Sequence, residues 1–170
     1  MPTFRSSRIF RNIGIVFIVV ANIGCDQISK NVIRQNIGFY ETRTIVKDLF
    51  TITYVENPGA FLSIGGNLPH TVKLIVLSVI PLIALIFGIV YILMKKNLTW
   101  LSALSLSFAI GGGIGNIYDR MVHGSVTDFM HLNFGLFQTG IFNMADVSIM
   151  TGMFIFLAQS YQRQRGRMLG

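Results

Sequence analysis

Apolar residues along this chain gather into four long runs, Ile13 to Gly24, Val72 to Met94, Leu98 to Ile117 and Ile141 to Ala158. Alone or with its flanks, each supplies the roughly 17–25 residues that cross a bilayer as a helix. The first does so only by borrowing Ile9 and Phe10. Between the first two runs the pattern changes. Thr44-Ile45-Val46 and Leu49 to Val55 are rich in β-branched and aromatic residues and predict strands. Asn57-Pro58-Gly59 and Gly65-Gly66-Asn67-Leu68-Pro69 close them with turn chemistry. Ser125 to Phe129 alternates and predicts another short strand. The expectation is an all-α membrane protein, one domain over residues 1–170, with four transmembrane helices, no internal repeats and a small sheet on the outer membrane surface.

Composition supports lipid as the solvent. The chain is 52% hydrophobic and 12% charged with mean hydropathy +0.60, where a soluble domain is about a quarter charged. Charge then orients the spans. Arg5, Arg8, Arg11, Lys95, Lys96, Arg163, Arg165 and Arg167 all fall on one side, with no acid among them. All seven acids fall on the other side, with Lys30, Arg34, Arg43, Lys47, Lys73 and Arg120. The positive-inside rule places both termini in the cytoplasm. The net charge of +7 therefore belongs to a rim that meets membrane lipid and gives no reason to expect nucleic acid. Cys25 is alone, so no internal disulfide forms. The basic and apolar residues before Cys25 resemble an export signal, but with three more spans following, the first helix is expected to be retained.

Topology brings polar groups to one level. The first span ends outside at Asp26, the third at Asn116 and Asp119, and the fourth begins near Asn143 and Asp146. Asn57 and Asp128 lie in the outer loops that fold onto that level. Asn116 and Asp119, like Asn143 and Asp146, are three apart and share a helix face. The glycines of Gly111-Gly112-Gly113-Ile114-Gly115 allow close helix packing, within the chain rather than between copies. Arg120 is expected to hold a neighbouring carboxylate by a bidentate pair, with Asp119 as one such partner. Ionisable groups in a membrane segment usually mark function. Two converging carboxylates share a proton, so one activates water while its protonated partner polarises a carbonyl or protonates a leaving amine. His123 and His131 flank Asp128 without a standard metal-ligand spacing, so no metal is expected. Asp146 also reads as a helix cap favoured by the dipole. These residues alone do not choose Asp128 over Asp119.

Five blocks in order resemble the lipoprotein signal peptidases, or type II signal peptidases. They are Asp26-Gln27-Ile28-Ser29-Lys30, Asn57-Pro58-Gly59-Ala60-Phe61, Gly111 to Arg120, Val126-Thr127-Asp128-Phe129 and Phe142-Asn143-Met144-Ala145-Asp146. The resemblance implies an aspartyl endopeptidase of the bacterial cytoplasmic (inner) membrane. It would cleave prolipoproteins before their diacylglyceryl-modified cysteine, with its active site toward the extracytoplasmic face. Asp128 and Asp146 then correspond to the catalytic pair. Asn57, Gly59, Asn116, Asp119, Arg120 and Asn143 correspond to substrate-binding or supporting residues, and Asp26 and Lys30 to support near the site. It further implies a β-sheet cradle with an outer loop, lipid-modified prolipoproteins as substrates and no cofactor; a monomer is expected from the glycine run, read as packing within the chain. The chain departs from the family pattern at Pro58, which lacks a backbone donor, at Phe61, which adds bulk, and at Thr127, where Val is frequent.

The main rival is a small proton- or ion-coupled transporter. Transporter sites usually lie at the bilayer midplane and at repeat interfaces, whereas these acids cluster toward one face. A non-catalytic membrane anchor or assembly factor is the third reading, and it predicts that neutralising Asp128 and Asp146 is silent.

Overall fold

A computed structural model describes residues 4–60 and 64–168; Phe61 lies outside them. The order is α1 (Phe4–Asn36), β1 (Thr42–Val46), β2 (Phe50–Asn57), α2 (His70–Leu74), a π-helical turn (Ile75–Val79), α3 (Ile80–Met94), α4 (Trp100–His123), β3 (Val126–Leu132) and α5 (Met144–Met168). The π turn carries α2 directly into α3. It precedes Pro81, whose missing N–H and crowding of the carbonyl four residues earlier disturb the α-helical ladder.

α1 differs from expectation. It does not end at Asp26 but continues to Asn36. Asp26, Lys30 and Arg34 recur at four-residue spacing, so one helix face carries them all inward. Polarity there marks a buried face and not the end of a span. Among the described residues, three helices are long and apolar enough to cross a membrane, within Arg8–Asn36, His70–Met94 and Trp100–His123. α5 is as long as α4, but Asp146, Gln159 and the Gln- and Arg-rich stretch from Gln162 dilute its apolar run.

The burial pattern is inverted relative to a soluble protein. Phe10, Phe17 and Phe87 are each 71% exposed, while Asp26, Lys30, Asp119 and Asn143 are fully enclosed. That arrangement suits a lipid-facing exterior, against which apolar side chains lose nothing. α4 runs through the centre of the bundle. A Cβ on Gly115 would lie 2.5 Å from Asp26 Oδ2, and one on Gly112 would strike the Ala145 carbonyl. The glycine run therefore packs α4 against α1 and α5 within one chain. Hydroxyl and amide groups tie the same helices together. Ser148 Oγ donates to Asn22 Oδ1 at 2.7 Å and Gln159 Nε2 to Thr99 Oγ1 at 2.7 Å. The strands form an antiparallel sheet ordered β1-β2-β3. Its register places Val55 opposite Asp128 and Asn57 opposite Val126, beyond an irregularity between Ile52 and Val55. Gly124, at φ 80°, ends α4 in the left-handed region and turns the chain into β3.

Candidate active site

Asp128 is delivered by β3 and Asp146 by the first turn of α5. Asn143 precedes α5 and does not share a helical face with Asp146. Instead its Oδ1 accepts from the Asp146 N–H at 3.0 Å, while Asp146 Oδ2 accepts from the Asn143 N–H at 3.1 Å. This reciprocal pair is a capping box. The cap reading of Asp146 is thus correct, and it leaves Asp146 Oδ1 to accept from Asn116 Nδ2 at 3.0 Å.

The two carboxylates are joined through two amides. Asn143 Nδ2 donates to Asp128 Oδ1 at 2.6 Å and to Asn116 Oδ1 at 3.1 Å. Asn57 Nδ2 donates to Asp128 Oδ2 at 3.0 Å, so both Asp128 oxygens are fixed. Burial, followed by the charge of Asp146, pushes the Asp128 carboxyl up to about 6, against the donors Asn57 and Asn143, which favour its ionised form. Among the described residues no cation forms an ion pair with Asp128 or Asp146.

Asp119 is placed differently. Its oxygens pair with Lys30 Nζ at 3.0 Å and Arg34 Nη2 at 3.0 Å, not with Arg120 as expected. It also accepts from Gln27 Nε2 at 3.2 Å and the Thr127 N–H at 3.3 Å. Arg120 forms no bidentate carboxylate pair either. It donates to the carbonyls of Gly59 at 3.0 Å and Asn116 at 3.4 Å, because it leaves α4 toward the β2 turn while the carboxylates are already occupied. Gly59 closes that turn, its N–H donating to Asn57 Oδ1 at 3.0 Å. Ala60 N–H continues it to Ile64 O at 2.8 Å. Gly59 and Ala60 supply these donors, so the N–H that Pro58 lacks is not one of them.

Lys30 lies at the centre beneath the pair. Its ammonium contacts Asp26 Oδ2 at 2.8 Å, Asp119 Oδ2 at 3.0 Å and Asn116 Oδ1 at 2.9 Å, with no exposure. Holding Asn116 Oδ1 turns the amide so that its Nδ2 faces Asp146. Asp26 Oδ1 in turn accepts the Ala145 N–H at 2.9 Å, which ties α1 to the start of α5. All ten candidate residues therefore belong to one connected layer, with Asp128 and Asp146 joined by amides and Asp26, Lys30 and Asp119 as the ionic floor.

Four further side chains were not anticipated in this layer. Gln27 bridges Asp26 and Asp119 at 3.0 and 3.2 Å. Arg34 Nε donates to Thr127 Oγ1 at 2.8 Å, and that hydroxyl donates to Glu56 Oε1 at 2.7 Å. The four-residue spacing from Asp26 through Arg34 was the available signal for Arg34; nothing local marked Glu56 or Thr127 as partners.

Residues 18–162 match a protein family described as signal peptidase (SPase) II. A lipoprotein signal peptidase of Streptococcus pneumoniae is 34% identical over 143 residues, covering 84% of this chain and 89% of that protein. One from Streptococcus thermophilus is 33% identical over 156 residues, covering 92% and 97%. Among solved structures, a bacterial membrane enzyme determined by the in meso method at 2.3 Å superposes with a TM-score of 0.76 at 25% identity, covering 89% of each chain. The chain belongs to the signal peptidase II family, and is a membrane-embedded, multi-pass peptidase.

Proposed function

We propose that this protein is an aspartyl endopeptidase that removes signal peptides from prolipoproteins, cleaving just before the diacylglyceryl-modified cysteine. Asp128 and Asp146 are its catalytic pair. The observation that carries this reading is the amide-linked convergence of buried Asp128 and half-buried Asp146, neither of which forms an ion pair among the described residues. Asp119 is a weaker candidate because two cations already neutralise it.

Asp128, pushed up to about 6, is the member that holds the shared proton. Asp146 takes a proton from a water lying between the two carboxyls as that water's oxygen bonds to the scissile carbonyl carbon. Asp128 gives its proton to the carbonyl oxygen. The tetrahedral diol then collapses, the C–N bond breaks and the amine leaves with the proton held by Asp146, while the diol returns a proton to Asp128. Two carboxyls and a water suffice, without a cofactor or metal. Asn57, Asn116 and Asn143 hold the pair in register. Arg120 fixes the Gly59 turn, and Asp26, Lys30 and Asp119 support the layer from below.

In this reading α5 is the fourth span and the protein acts as a monomer in the bacterial inner membrane. The acid-free basic ends lie in the cytoplasm, and the aspartate layer and three-stranded cradle face the extracytoplasmic side. Purified protein in lipid bilayers, given a lipid-modified precursor, is expected to yield a product beginning at the modified cysteine by mass spectrometry. Ion or solute flux without peptide hydrolysis would instead favour the transporter.

A further inference from the structure

At the end of the bundle remote from the aspartates, α1 and α3 meet in a seam with unusual chemistry. Arg11 precedes Asp26 by fifteen residues, so it lies about 22 Å away along α1. An open groove of about 570 Å³ lies along one face of α1 from Ile9 to Val20, Asn12 included, and is bounded on α3 by Leu93. The α1 residues recur at helical spacing on one face, and Ile9, Ile13, Val16, Phe17 and Val20 are between 49% and 71% exposed. From Ile9 to Val20 the groove runs about 16 Å, about half of the roughly 30 Å hydrocarbon core and so the depth of one leaflet.

The groove ends in positive charge. Arg11 Nη1 donates to the Lys95 carbonyl at 3.0 Å and Arg8 Nη2 to the Leu93 carbonyl at 3.5 Å. Asn12 Nδ2 reaches the same Leu93 carbonyl at 3.5 Å. These acceptors at the end of α3 orient the guanidiniums but neutralise neither. Lys95 rests 5.7 Å from the Tyr91 ring centroid, and Lys96 is exposed beside it. No Asp or Glu occurs in residues 1–25, 57–118 or 147–170, so the elements that reach this end bring no counter-charge. Four cations without a carboxylate partner, at the mouth of an apolar groove one leaflet deep, ask for a ligand with an anionic head and an acyl tail.

We propose that the α1–α3 seam binds one anionic diacyl phospholipid. Its phosphate sits among Arg8, Arg11, Lys95 and Lys96, and one acyl chain lies in the groove. The charge complementarity is that of a juxtamembrane basic cluster toward anionic lipid, and the groove adds a discrete apolar seat that a surface cluster alone lacks. The site is independent of the aspartate layer, so its failure leaves the peptidase reading untouched.

The test is native mass spectrometry of delipidated protein titrated with equimolar phosphatidylglycerol and phosphatidylcholine carrying identical chains. One phosphatidylglycerol adduct is expected, favoured by about tenfold or more over phosphatidylcholine. The exposed-rim variant Arg8→Gln/Lys96→Gln should lose that preference while keeping its melting temperature and cleavage activity. Val16→Trp, which fills the groove, should remove the adduct for either headgroup. Equal retention of the two lipids, a preference unchanged in the rim variant, or adducts that accumulate without saturating would overturn the proposal. So would a dimer that Val16→Trp dissolves, since it would make the groove a contact between copies of the chain.

Discussion

Replacing Lys30 with Met is the most severe local perturbation that leaves Asp128 and Asp146 intact. The ammonium makes three contacts of 2.8 to 3.0 Å, to Asp26, Asp119 and Asn116, and none of the three ionic side chains is exposed. Met matches the length of the Lys stem but leaves two enclosed carboxylates with Arg34 as their remaining cation. Removing one partner of a buried ion pair costs about 3–5 kcal/mol, chiefly from the charge left uncompensated. In a chain of this size that is a fall of about 6–20 °C in melting temperature. Asn116 also loses the contact that orients it toward Asp146, so kcat should fall while KM for the precursor changes little. Thermal unfolding in detergent and steady-state cleavage measure the two effects. A control separates charge from packing: in an Asp26→Asn background, Lys30→Met should cost markedly less, because fewer charges are stranded. A melting temperature within a degree of the parent, or an equal penalty in both backgrounds, would refute the ionic-floor account.

Other outcomes follow from the geometry. If protonated Asp128 is required, kcat/KM should decline as pH rises through about 6. Asn57→Leu removes a donor that favours ionised Asp128, so the decline should move to higher pH, as a pH–rate profile would show. The same raised carboxyl adds to fold stability below about pH 4, and that contribution is lost as pH rises through about 6, which unfolding at a series of pH values tests. Gly112→Ala drives a methyl group into the Ala145 carbonyl, so α4 and α5 must separate at the residue before Asp146. A loss of about 1–3 kcal/mol of stability with strongly reduced cleavage is expected. Thr127→Val keeps the shape but strands Arg34 Nε and leaves Glu56 Oε1 only the Tyr54 hydroxyl, costing about 1–3 kcal/mol by the same unfolding assay.

The sequence showed the level at which the polar residues meet but misjudged how they meet. Long apolar runs located α3, α4 and the start of α5, and β-branched segments located the strands within a few residues. The far half of α1 was misread because Asp26 looked like the edge of a span. In this fold its charge is enclosed by Lys30 and Gln27, and the helix runs on to Asn36. Four-residue spacing through Arg34 carried that information, but hydropathy alone hides it. Arg120 was misassigned for a related reason. Adjacency to Asp119 in sequence points their side chains about 100° apart on a helix, and Arg120 turns to the Gly59 carbonyl instead. The pairing of Glu56 with Thr127 depends on strand register, which an irregularity between Ile52 and Val55 sets and no local pattern reveals. Likewise the residues alone left Asp119 and Asp128 equivalent. Only their surroundings differ, two cations around one and two amides around the other.

The central claim is that Asp128 and Asp146 together activate water. It is tested most directly by single-turnover cleavage of a lipid-modified precursor by Asp128→Asn and Asp146→Asn, with folding and precursor binding checked in the same preparations. Both variants should remain folded and bind precursor, yet cleave it at least about a thousandfold more slowly, the combined loss of base and acid assistance. Cleavage at the parent rate by either folded variant would contradict the account.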